Sequence, residues 1–167
     1  VDPEVYNLCV DQSVKEELPE DFQIVTRQDI PVWKHQKHMV AYARELPAVL
    51  WDCGMGTGKT RSAIDFIQTE GFPYVLVQCP LAVVPAWESQ IEQFACVDMV
   101  SVALGRNMSV AKKKETAEFN LDLALHRKTP HVFIINYESA WREPFRSWAL
   151  SIEWPLIILD EAHNIKA

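Results

Sequence analysis

Short continuous apolar runs alternate along this chain with longer stretches in which apolar residues recur every three to four positions. Ala48-Val49-Leu50-Trp51, Tyr74-Val75-Leu76-Val77, Val132-Phe133-Ile134-Ile135 and Leu156-Ile157-Ile158-Leu159 are runs of the first kind. They predict strands, buried on both faces at Tyr74–Val77 and buried again at Val132–Ile135. Val100-Ser101-Val102-Ala103-Leu104 is a further strand candidate, and Phe22-Gln23-Ile24-Val25-Thr26 alternates as a short one. Helical spacing runs from Gln36 to Glu45, between the breaks at Pro31 and Pro47, and an amphipathic run opens at Lys59. From about Val84 it places Val84, Trp87, Ile91, Phe94 and Ala95 on one face. Over 109–128 it turns Val110, Ala117, Leu121, Ala124 and Leu125 inward, and a last helix carries Trp141, Phe145, Trp148 and Ala149. Lys112-Lys113-Lys114 reads as a solvated face, with a phosphate contact as the alternative. Strands alternating with helices predict an α/β fold, a parallel sheet with helices on both faces. Ligands then gather at the carboxyl ends of the strands.

Composition narrows this picture. A chain of 167 residues, 49% apolar, can bury one real core. No run is long enough to span a membrane. Residues 1–30 hold eight acids against Lys15 and Arg27, so they carry most of the net charge of −7. They are expected to be an acidic N-terminal extension, loosely ordered over 1–21, while residues 31–167 are nearly neutral. Overall charge therefore argues neither for nor against a nucleic-acid face. Cys9, Cys53, Cys79 and Cys96 show no paired spacing, which predicts reduced thiols in an intracellular protein. The N-terminus lacks a charged-then-apolar head, so a cytoplasmic location is expected, or a nuclear one in a eukaryote, and secretion is not.

The chemistry concentrates at two strand ends. Cys53-Gly54-Met55-Gly56-Thr57-Gly58-Lys59-Thr60 follows an apolar run and opens a helix. Glycines let such a loop turn several N–H groups inward, where the helix dipole adds to them, and a polyphosphate fits there. Lys59 would neutralise the β- and γ-phosphates, and the Thr60 hydroxyl would ligate Mg²⁺. The strict G-x-x-x-x-G-K-[ST] pattern asks for glycine where this chain has Cys53; Gly56 and Gly58 supply the flexibility. At the far end, Leu156–Leu159 runs into Asp160-Glu161-Ala162-His163. A strand ending in Asp-Glu suits a metal-side carboxylate followed by a water-activating base.

These residues resemble the first RecA-like domain of a superfamily-two helicase, nearest to the Swi/Snf-type DNA translocases with their phage and bacterial members. The resemblance runs from about residue 31 to the end. Pro31-Val32-Trp33-Lys34-His35-Gln36 resembles the Q motif, which implies that Gln36 reads the adenine edge. Met55-Gly56-Thr57-Gly58-Lys59-Thr60 is similar to motif I, with Gly54 before it. Cys79-Pro80-Leu81, with Trp87-Glu88 downstream, resembles motif Ia; Trp87 by itself reads as core. Asn136-Tyr137-Glu138 resembles motif Ib, and Asp160-Glu161-Ala162-His163 motif II. The resemblance implies that His163 couples the ATP site to the rest of a motor. The chain departs from the pattern at Cys53-Gly54, at Asn136 and at Lys166-Ala167.

The expected activity is MgATP hydrolysis, with Asp160 holding Mg²⁺ through water and Glu161 orienting and deprotonating the attacking water. ATP and Mg²⁺ are the expected cofactors, and duplex DNA the expected partner, with no membrane involved. The resemblance also implies a second RecA-like domain carrying an arginine finger. Residues 31–167 are then an incomplete first domain, and this piece alone is expected to turn over ATP very slowly. Two alternatives stand beside this. One is another superfamily-two motor, from a restriction enzyme or an RNA helicase. The other is a module that binds nucleotide or docks a partner without turnover.

Overall fold

The computed structural model describes Leu18, residues 22–127 and residues 129–164. Apart from Leu18, the expected acidic arm over 1–21 lies outside the described residues. The chain divides into two units, Val1–Glu70 and Gly71–Ala167.

The first unit is built on two helices, α1 (Lys34–Glu45) and α2 (Lys59–Glu70). Helix α1 starts where Gln36 reaches back and accepts a hydrogen bond from the Trp33 N–H at 3.0 Å, the return half of a capping box. Gln36, Met39, Val40 and Ala43 form its buried face, at the expected spacing. Helix α2 is buried at every position from Arg61 to Gln68, polar residues included. Buried polar groups need partners. Arg61 donates to the carbonyls of Pro31 at 2.8 Å and Ile30 at 2.6 Å, and Gln68 donates to Asp65 at 2.9 Å. Burial still pushes the Asp65 carboxyl above its usual range, against the pull of Thr26, Arg61 and Gln68. The Val25 N–H donates to the Thr69 hydroxyl at 2.9 Å. These bonds lay the segment before α1 along α2.

Two predicted strands are absent from this unit. Residues 22–26 run without a ladder partner among the described residues, and so do residues 48–51. Leu50 is 63% exposed. An apolar run becomes a strand only where a neighbour takes up its N–H and C=O groups.

The second unit holds β1 (Tyr74–Cys79), α3 (Val84–Phe94), β2 (Val100–Leu104), α4 (Val110–Arg127), β3 (His131–Asn136), α5 (Tyr137–Ala140), α6 (Phe145–Leu150) and β4 (Ile157–Leu159). The strands form one sheet in the order β2-β3-β1-β4, and every pair is parallel. This is the expected α/β architecture. All six residues of β3 are buried. Leu76, Val102, Leu104, Phe133 and Ile135 pack on one side with Ala117 and Leu121 of α4 and Phe145 of α6. Val75, Val77, Val132 and Ile134 alternate with them, face the other way and are equally buried. On α3, Val84, Trp87 and Ile91 are buried and Phe94 is half-buried, as is Ala95 just past its end.

Three positions depart from the helical periodicity. Leu125 and Trp141 are exposed, not inward. Lys113, read as part of a solvated face, is only 3% exposed. Its ammonium donates to Asn136 Oδ1 and to the Ser139 hydroxyl, both at 2.8 Å. Burial holds its pKa below the usual lysine range, with Glu138 pulling the other way. A long stem buried under a partnered head explains the inversion.

Lys113→Ala is expected to lower stability by about 1–3 kcal/mol, because Asn136 Oδ1 loses its buried donor. Lys112→Ala, which removes only an exposed pair with Glu115, should stay within about 0.5 kcal/mol. Urea unfolding of the two variants measures the contrast, and equal losses would contradict it.

Candidate functional site

In the first unit, the loop before α2 turns through Gly56 at φ 77° and Gly58 at φ 82°. Both lie in the left-handed region, which side chains other than glycine rarely adopt. Gly58 is constrained twice, because a Cβ there would collide with the Gln36 amide. The Thr57 hydroxyl donates to the Gly54 carbonyl at 2.9 Å and tightens the turn. Lys59 folds back over the loop, its Nζ donating to the carbonyls of Cys53 at 2.7 Å and Gly54 at 3.1 Å. A lysine in the first turn opposes the helix dipole, so its place there serves something other than helix stability. Thr60 follows, half-buried, while Met55 is 95% exposed.

Gln36 and its neighbour grip the same loop. The Gln36 amide donates to the Thr57 carbonyl at 3.3 Å, and His35 Nε2 lies 2.8 Å from that oxygen. Gln36 is buried, and its other end holds the Trp33 N–H. The structure thus brings Gln36 together with Thr57 and Gly58.

In the second unit, the carboxyl ends of the strands gather a separate set of groups. Cys79 and Asn136 end β1 and β3 in register. Past β4, the Asp160 N–H donates to the Gln78 carbonyl at 2.8 Å and carries the pairing one residue further. The Tyr137 hydroxyl donates to the Asp160 carbonyl at 2.7 Å, and the Trp87 indole N–H donates to Asp160 Oδ2 at 2.8 Å. Glu161 is exposed, with φ 53°. Left-handed backbone at a residue other than glycine stores roughly 1–3 kcal/mol and recurs at functional sites. His163 Nδ1 lies 3.3 Å from Glu161 Oε2.

The carboxylate marks its surroundings. Burial, reinforced by Asp160, pushes the Tyr137 hydroxyl up to about 12 and the Cys79 thiol up to about 12. Tyr137 therefore stays a donor and Cys79 a thiol throughout the physiological range. Nearby, Asn136 donates to Glu138 at 2.6 Å, which lowers that carboxyl below its usual range. Lys113 orients Asn136 from the other side.

Sequence reasoning singled out Lys59, Thr60, Asp160 and Glu161 but left out the contacts made by Trp87, Tyr137 and Lys113. One signal was available. A buried tryptophan carries an N–H that needs an acceptor. No group of three or more His, Cys, Asp or Glu side chains converges among the described residues, so the protein builds no all-protein metal cage there.

Thiol alkylation at pH 8 should modify exposed Cys96 and spare Cys79, which is buried and held in the thiol form. Peptide mass mapping of the native protein reads the outcome, and comparable labelling of both would contradict the placement of Cys79.

Several curated proteins share sequence with this chain. Chromodomain-helicase-DNA-binding protein 1-like of Danio rerio is 27% identical over 93% of the chain and 16% of its own length. Chromatin remodeling factor mit1 of Schizosaccharomyces pombe is 30% identical over 72% of the chain and 8% of its own length. Chromodomain-helicase-DNA-binding protein 1-like of Mus musculus is 31% identical over 67% of the chain and 12% of its own length. The chain thus spans less than a fifth of the length of each. No described helix is long and apolar enough to cross a membrane. The SNF2-related domain matches residues 35–167, a span that takes in the glycine loop, the parallel sheet and the Asp160–His163 turn, and the chain belongs to that family.

Proposed function

We propose that this chain is the ATP-binding lobe of an ATP-dependent DNA translocase that hydrolyses MgATP. One observation carries the proposal: two left-handed glycines curl the loop before α2, and Lys59 lies folded over that loop. Peptide N–H groups and an ammonium at a helix start suit a polyphosphate. Gly54, Met55, Gly56, Thr57 and Gly58 supply the backbone, Lys59 holds the β- and γ-phosphates, and Thr60 ligates Mg²⁺. Gln36 exchanges its bonds to Trp33 and Thr57 for bonds to the adenine edge.

Asp160 takes the metal side through water. Mg²⁺ is commonly bound by one or two carboxylates together with substrate phosphates, so a single oriented carboxylate fits it better than a protein cage would. When bound, the cation neutralises charge developing on the phosphates. Glu161, exposed beside Asp160, orients the attacking water and takes its proton. His163, against the Glu161 carboxylate, couples the base to the rest of the motor. No arginine finger is offered by Arg61, which is buried on the Pro31 and Ile30 carbonyls. A second RecA-like domain supplies it on this proposal. Two of the relatives carry helicase and DNA-binding in their names, which favours DNA over RNA as partner and a motor over a passive nucleotide-binding module.

Lys59→Ala should lower MgATP affinity roughly tenfold or more, since a charge-assisted bond to phosphate contributes about 1.5–3 kcal/mol. Glu161→Gln should keep that affinity and lose about 10²–10⁴-fold in turnover. Calorimetric titration and steady-state hydrolysis of the full-length protein separate the two roles. Equal affinity of wild type and Lys59→Ala, or unchanged turnover of Glu161→Gln, would overturn the corresponding assignment.

Duplex DNA should stimulate hydrolysis more than RNA does. Its binding should weaken steeply with salt, because phosphate contacts release counterions. Stimulation by RNA equal to or above that by duplex DNA would move the protein to the RNA-helicase alternative.

A further inference from the structure

Trp87 is 1% exposed, and its ring belongs to the buried face of α3 with Val84 and Ile91. Packing alone would be served by any large apolar ring. The indole adds one N–H, which costs free energy in the interior unless it finds an acceptor. The acceptor it finds is Asp160 Oδ2, 73 residues away in sequence. Asp160 is also the residue whose main chain is held from two further elements. Its N–H donates to Gln78 of β1, and its carbonyl accepts from the Tyr137 hydroxyl of α5.

Each of these bonds removes a different freedom. The two main-chain bonds fix where the Asp160 Cα sits at the end of β4. The indole fixes the rotation of the carboxylate, a torsion that is otherwise broad and nearly two-fold. With Oδ2 committed to the indole, Oδ1 is the oxygen that takes no hydrogen bond from the described residues. We propose that Trp87 and Tyr137 are positioning residues that present the Asp160 carboxylate, through Oδ1, to a divalent cation. This rests on the assignment of Asp160 to the metal side of a nucleotide site. Partners that orient a metal-binding carboxylate typically change metal affinity by about 10–100-fold when removed. Val84 and Ile91 share the face of α3 but make no such bond, so they separate packing from positioning.

The test measures binding of a fluorescent ATP analogue to the full-length protein as free Mg²⁺ is raised from a chelated baseline. Trp87→Phe keeps an aromatic ring in the core and deletes the N–H. It should raise the Mg²⁺ midpoint about tenfold while leaving metal-free analogue binding unchanged. Tyr137→Phe, which deletes only the hydroxyl, should shift the midpoint in the same direction. Val84→Ala should lower the thermal midpoint and leave the Mg²⁺ midpoint where it is. An unchanged Mg²⁺ midpoint in folded Trp87→Phe overturns the proposal. If circular dichroism shows Trp87→Phe unfolded, Tyr137→Phe decides in its place, and an unchanged midpoint there overturns it. Wild-type protein with no Mg²⁺-dependent binding overturns the nucleotide assignment itself, and this proposal with it. Failure of the assignment is thus read from the wild type, and failure of the positioning role from the variants.

Discussion

Parallel pairing is the constraint on which the second unit depends. Parallel strands cannot be joined by a tight turn, so each connection must cross the sheet and start again at the same end. The crossings here carry α3, α4 and the short pair α5 and α6. Such a sheet needs cover on both faces, and β3 shows the result, six consecutive buried residues. A second consequence is chemical. All four strands finish at one edge, so Cys79, Asn136 and Asp160 arrive there together although they lie far apart in sequence. The polar residues of this unit are then ordered by what that edge can satisfy: Tyr137 and Trp87 on Asp160, Lys113 on Asn136.

The first unit obeys a different constraint. Its glycine loop must hold a backbone curl that ordinary residues resist, and the surrounding side chains maintain it. Thr57 ties the loop to its own start, Lys59 lies over it, and His35 and Gln36 meet it from α1. Gly58 is small both for its φ and because the Gln36 amide occupies the space a side chain would fill. Buried polar groups recur along α2 for a related reason. Arg61, Asp65 and Gln68 anchor the preceding segment and one another, so a helix of modest apolar content is buried nonetheless.

Glu161 stands apart from both sets. It is exposed, its backbone is left-handed, and it follows Asp160, whose carboxylate accepts from the Trp87 indole. A strained exposed acid thus follows a half-buried one. The Trp87 indole holds one carboxylate, and the other is exposed and lies against His163.

Much of this was legible in the chain alone, and the reason is locality. The glycine loop is made of consecutive residues, so its glycines, its lysine and the helix that follows appear as one uninterrupted string. The strand ending in Asp160-Glu161 is local in the same way. So is the alternation of apolar runs with helical spacing, which determined the parallel α/β class and four of the strands. Tertiary structure decided whatever depended on a distant partner. The apolar run at 48–51 is no strand among the described residues, because strand formation is a property of a pair. Lys113 is buried because Asn136 and Ser139, 23 and 26 residues on, accept its hydrogen bonds, whereas periodicity could only count it as a charge. Trp87 looked like core and is core. That its N–H also fixes the Asp160 carboxylate could not be read from spacing, because a hydrogen bond across 73 residues exists only once the sheet has brought its two ends together.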